Sequence, residues 1–190
     1  VCIYFASLLL RGNRSRKVES MHFDAFESEN YPPLAEAGIV IDYNQKNISP
    51  SNGSLNYSIN DQFDDRVTIL KLFPGISRQM VHTVLGDKSS KGVVLETYGS
   101  GNAPTSGWFM EEIRNAIERG VIIYNVSQCS GGEVMQGRYA TSKLLKEAGV
   151  LSGGDITTEA AITKMMYLLA NSKTTEEVKE RVITSICGEM

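Results

Sequence analysis

The chain has 190 residues, is 42% hydrophobic and 22% charged, and carries a formal net charge of −3. That is the composition of a soluble globular protein, enough for one domain or one domain plus part of another, and it gives no reason to expect nucleic acid as a partner. Three distant cysteines, Cys2, Cys129 and Cys187, fit neither a zinc spacing nor a disulfide framework and point to a reducing compartment. With only His22 and His82 available, there is little room for a His-based metal site or a Ser-His-Asp triad, so any chemistry is expected to use other groups.

Residues 1–10, VCIYFASLLL, form a near-continuous apolar run that reads as one strand buried on both faces. The run lacks a basic flank and a small-residue cleavage site, so it is not a signal peptide, and it is too short to span a membrane. A doubly buried strand needs neighbours, yet the next fifty residues offer only one more candidate, residues 38–43. The chain is therefore expected to begin inside a domain. Arg11, Arg14, Arg16 and Lys17 form a basic turn. Such a turn is usually solvated, but a lysine buried among other cations would have a lowered pKa and could accept a proton. Tyr31-Pro32-Pro33-Leu34 excludes helix. Residues 44–64 are polar and read as a linker or surface loop.

From Arg66 onward strands and helices alternate. Residues 66–73 form a strand and residues 76–85 a helix stopped by Gly86. Residues 92–98 form a strand that runs into the glycine loop GSGNAP at 99–104. The helix over 105–119 has Phe109, Ile113 and Ile117 on one face and Gly120 past its end. A strand at 121–126 leads into a second loop, SQCSGG, at 127–132. Helices follow at 140–148, 157–171 and 174–187, the last opened by the capping box Thr174-x-x-Glu177. The β-α-β alternation predicts an α/β fold: a three-layer, doubly wound parallel sheet of Rossmann or flavodoxin type.

Two small polar loops at the carboxyl ends of strands suit a ligand better than either alone. The glycines let backbone approach a ligand, although a tight turn without a ligand explains the GSGNAP loop, taken alone, equally well. The spacing is not a dinucleotide fingerprint. No histidine lies near Cys129 in sequence, which argues against a thiol nucleophile, and Cys187 reads as core packing on its helix.

Taken together, YGSGNAP at 98–104, NVSQCSGG at 125–132 and GRYATSKLLKEAGVLSGGDITTEAAITKMMYLL at 137–169 resemble the bacterial L-asparaginases of the cytoplasmic, type I branch. RGNRSRKVESMHFDAFES at 11–28 is similar to the segment around that family's catalytic lysine. The resemblance implies hydrolysis of L-asparagine to L-aspartate and ammonia, with a threonine nucleophile, a Thr-Asp-Lys group and no metal or cofactor. It matches the lysine to Lys17 and leaves the two threonines and the aspartate without counterparts, so the chain alone is expected to be inactive. It also implies that residues 1–43 end a catalytic N-terminal domain, 44–64 link, and 65–190 form the smaller C-terminal domain of a cytoplasmic homo-oligomer, a dimer or tetramer. Asn102 and Glu133 then match wall segments of a substrate site shared between subunits, and Ser127 and Cys129 match an allosteric asparagine site. Some members with that site carry Arg where this chain has Glu96, and an acidic side chain there disfavours a ligand carboxylate. The alternatives are an amino-acid-binding domain without catalysis and an oligomerisation module.

Overall fold

The computed structural model describes residues 1–48, 59–137 and 140–190. Part of the expected linker, residues 49–58, lies outside the described residues, as do Arg138 and Tyr139 of the third resembling stretch.

Four parallel strands form the larger unit: β7 (Val67–Lys71), β8 (Gly92–Thr97), β9 (Ile122–Ser127) and β10 (Leu151–Ser152). They lie side by side in the order β7-β8-β9-β10. Every residue of β8 is buried, as expected of a strand covered on both faces. The crossover helices α1 (Arg78–Leu85), α2 (Gly107–Glu118) and α3 (Ala140–Glu147) pack on Val93, Leu95 and Ile123. The opposite face, with Val94, Ile122, Tyr124 and Val126, is covered by α4 (Thr158–Asn171) and α5 (Thr175–Val182). The three layers match the expectation, but the winding differs from it. Strand order never reverses among the described residues, so right-handed crossovers place α1, α2 and α3 on one face, and the second helical layer comes from the two helices after β10.

Local chemistry fixes the helix ends. Thr157 accepts from the Ala160 amide and Thr174 from the Glu177 amide. The Glu177 carboxylate reaches back to the Lys173 amide at 2.9 Å, so the capping box closes one residue upstream of its usual partner. Gly120 ends α2 at φ +90°, a conformation that costs other residues strain. The last helix stops at Val182, and Cys187 lies beyond it, exposed rather than in the core. No helix among the described residues is long and apolar enough to cross a membrane.

Residues 1–48 correct the first expectation. The apolar run is a hairpin of two strands, β1 (Cys2–Phe5) and β2 (Leu8–Arg11), in which Phe5 pairs with Leu8. Ala6 and Ser7 turn the chain with φ of 47° and 66°, the positive values that a two-residue hairpin turn demands. A second hairpin, β5 (Ala35–Ala37) and β6 (Ile41–Tyr43), replaces the single strand expected at 38–43. The sheet order is β1-β2-β5-β6, all antiparallel, and β1 alternates exposed and half-buried residues. Beside it, β3 (Arg16–Lys17) and β4 (Phe26–Glu27) form a short antiparallel ladder.

Candidate functional site

The carboxyl ends of β8 and β9 bring the two loops together. Thr97 on β8 donates its hydroxyl to the buried Asn125 side chain on β9 at 2.7 Å. Past the strand ends, Ser127 Oγ donates to the Gly99 carbonyl at 2.7 Å and the Met135 amide to the Ser100 carbonyl at 3.1 Å. Gln128 Nε2 donates to the Leu72 and Glu96 carbonyls, at 2.6 and 2.9 Å, and so ties the second loop to β8 and to the end of β7.

The glycine loop is a closed turn. The amides of Gly101 and Asn102 both donate to the Tyr98 carbonyl, and the Tyr98 amide donates to the Asn102 carbonyl. Gly101 has φ +106°, and a Cβ there would lie 2.9 Å from Val134 Cγ1 and 3.3 Å from Asn125 Nδ2. Helix α2 starts only at Gly107, so these loop amides serve the turn rather than the helix start. The half-buried Asn102 accepts a hydrogen bond from Thr141 Oγ1 at 2.6 Å. It borders a depression with Phe73, Pro74, Tyr98 and Trp108.

In the second loop Ser127 Oγ also accepts from the Cys129 amide at 3.0 Å, while the Cys129 side chain is exposed. Glu133 is exposed as well. Glu96 is buried at the end of β8. Its carboxylate accepts from Thr158 Oγ1 at 2.6 Å and faces Lys71 Nζ at 3.6 Å, so a hydroxyl and a cation already serve the position where an arginine would offer positive charge.

The basic turn lies against this edge. Its buried cation is Arg14, not a lysine: Arg14 is 4% exposed and forks onto Asp155 with nitrogen–oxygen distances of 2.9 and 2.5 Å. It also donates to the Asn30 carbonyl at 3.2 Å. Asn30 behaves like a strand partner for Gly132, with its amide nitrogen donating to the Gly132 carbonyl and its oxygen accepting from the Gly132 amide, both at 2.8 Å. Arg16 faces Glu159 on α4 at 3.5 Å. Lys17 is exposed at the end of β3, paired through its backbone with Phe26. A narrow cleft between ladder and loop is lined by Arg16, Glu27, Glu29, Asn30, Ser130 and Thr157. Lys17 lines neither this cleft nor the Asn102 depression.

Sequence spacing signalled the two loops, and the family resemblance signalled Lys17. Neither gave any sign of Arg14, Asn30, Thr141 or Thr158, whose partners lie 39 to 141 residues away. Among the described residues, no three His, Cys, Asp or Glu side chains gather as a metal site requires.

Comparison with known proteins identifies the family. Residues 66–181 match the family described as Glutaminase/Asparaginase C-terminal domain, and residues 1–49 match Asparaginase, N-terminal. The chain is 37% identical over 191 aligned positions to L-asparaginase 1 of Escherichia coli K12, covering all of this chain and 56% of that protein. It is 38% identical to the 60 kDa lysophospholipase of Homo sapiens, covering all of this chain and 33% of the human protein. The crystal structure of L-asparaginase I from Vibrio cholerae superposes with a TM-score of 0.91 at 39% identity, over all of this chain and 57% of that one. The chain thus spans about half the length of the asparaginases it matches. The family matches over residues 66–181 and 1–49 place the chain in the glutaminase/asparaginase family.

Proposed function

We propose that this chain forms part of an L-asparaginase that hydrolyses the side-chain amide of L-asparagine to L-aspartate and ammonia. The observation that carries the reading is the Asn30–Gly132 and Arg14–Asp155 contact. It seats the short ladder bearing Lys17 against the loop edge of the sheet, in a chain that belongs to a family named for this reaction. In the whole protein a hydroxyl nucleophile attacks the amide carbon, its proton is carried to the nitrogen that departs as ammonia, and water then cleaves the resulting ester to release aspartate and restore the hydroxyl. Lys17, with an aspartate partner, is assigned to tuning that hydroxyl, with no metal or cofactor taking part. Residues 1–43 would then close the catalytic N-terminal domain, 44–64 connect, and 65–190 form the C-terminal domain of a cytoplasmic homo-oligomer. Asn102 and Glu133, each in its own loop, would wall the substrate site of a neighbouring subunit. Ser127 and Cys129 are assigned to an effector site, whose affinity for a carboxylate Glu96 lowers.

The test is ammonia release from asparagine by the whole protein containing this chain. Lys17→Ala is expected to lower kcat about 100-fold or more while leaving KM nearly unchanged. A wild-type rate would remove Lys17 from the mechanism, and no ammonia from the parent protein would reject the function. In the same assay Cys129→Ser is expected to alter cooperativity and spare the rate at saturation; unchanged cooperativity refutes the effector site.

A further inference from the structure

The chain's last residues fold back in a way that hydrolysis does not explain. Glu189 and Lys164 are a buried ion pair at 2.6 Å, with side chains 3% and 4% exposed. The carboxylate also accepts from the amides of Ile186, at 3.0 Å, and Cys187, at 2.8 Å. The ammonium donates in addition to the Thr184 carbonyl at 2.7 Å. These bonds bend residues 183–190 into a compact loop on α4. Burial raises the Glu189 carboxyl, but the bonds from Lys164 and from the two amides outweigh it and hold the group at about 2.

The loop presents one backbone acceptor outward. The Cys187 carbonyl accepts from Asn13 Nδ2 at 3.0 Å and from Arg11 Nη2 at 3.2 Å. Asn13 Nδ2 also lies 3.3 Å from Cys187 Sγ. Gly188 has φ +74°, and any side chain there would run into the Arg11 guanidinium. Beside these contacts is an open seam rather than packed core: a cavity of about 470 Å³ lined by Asn13, Phe63, Thr163, Tyr167, Ile186 and Cys187. With little dispersion attraction across such a gap, the few polar bonds carry this edge of the contact, beside the Arg14–Asp155 fork.

We propose that residues 183–190 are a strap that holds residues 11–15 on the parallel-sheet unit, with the Glu189 carboxylate as its fastening. Glu189 is then a positioning residue. It shapes the loop that offers the Cys187 carbonyl, and Arg11 and Asn13 follow that carbonyl. Ser15 directly precedes β3, so the strap joins the Arg14–Asp155 and Asn30–Gly132 contacts in setting where Lys17 sits; that consequence alone rests on the function proposed above.

The experiment is amide hydrogen exchange on the chain itself, comparing the parent with Glu189→Gln. Exchange is expected to speed up by about tenfold or more at Ile186 and Cys187, and equally at Gly12 and Ser15. The amides of β8 and β9 should stay within about twofold of the parent. Faster exchange at Ile186 and Cys187 with no change at Gly12 and Ser15 would overturn the strap. So would an equal rise in β8 and β9, or a chain that does not fold, because Glu189 would then serve the whole domain. A second measurement needs no change at the ion pair. In a Cys2→Ser, Cys129→Ser chain, iodoacetamide alkylation of the exposed Cys187 should displace Asn13 and loosen Gly12 and Ser15 while sparing β8 and β9. Unchanged exchange at Gly12 and Ser15 in the adduct refutes the proposal.

Discussion

Arg14→Met isolates the bond between the two parts of the chain. Met preserves much of the apolar stem and removes the guanidinium. Three hydrogen bonds disappear, two to the Asp155 carboxylate and one to the Asn30 carbonyl. Hydrogen bonds to charged groups contribute about 1.5–3 kcal/mol each, and breaking a fully buried pair costs about 3–5 kcal/mol. Asp155 is not fully buried: its side chain is 32% exposed and water can solvate it once Arg14 is gone. The loss should therefore fall below the buried range, at about 2–3 kcal/mol. A domain of this size has about 5–15 kcal/mol to lose, so the variant should still fold. Urea unfolding followed by circular dichroism measures the change. Asp155→Asn and the double variant complete a cycle, with an expected coupling of about 1–2 kcal/mol. A loss under about 0.5 kcal/mol, or additive single effects, would refute the assignment of Arg14 as the clasp between the ladder and the sheet unit.

Ala6→Asn with Ser7→Gly supplies the turn residues that the β1–β2 hairpin lacks. Melting should rise, reflecting about 1 kcal/mol of relieved strain; no rise would mean that the turn relaxes without it. Glu112 on α2 accepts from His82 at 2.9 Å and from Arg78 at 3.2 Å. The bond from His82 lowers its carboxyl below the ordinary 4.5, against burial and with help from Arg78. A depressed carboxyl gives stability that is present above pH 4.5 and is lost as pH falls through the lower folded value. Glu112→Gln should therefore flatten the acid limb of a stability–pH curve; an unchanged limb would refute that link.

The parallel sheet was legible because β8 and β9 are apolar runs closed by glycine loops, and because Thr157, Thr174 and Gly120 mark helix ends by local chemistry. The hairpin within residues 1–10 was not legible. Its turn is Ala6-Ser7, which carries none of the Asn, Asp or Gly signals of a positive-φ turn, so two strands read as one. The basic turn misled for another reason. Composition cannot say which cation is buried, and Arg14 is chosen by Asp155, 141 residues later. Asn30 likewise has no local signature; its amide is matched to Gly132, 102 residues on. For the candidate site, strand-end loops were readable and the tertiary contacts that seat Lys17 against them were not.

The one-way strand order has a consequence for biogenesis. Each crossover helix covers the same side as its strand is added, so that side closes progressively during synthesis. The side formed by Val94, Ile122, Tyr124 and Val126 waits for α4 and α5, which leave the ribosome only after all four strands. A nascent chain halted before Thr157 therefore holds a largely assembled sheet with one bare apolar surface, the kind of surface that chaperones shield and aggregates exploit.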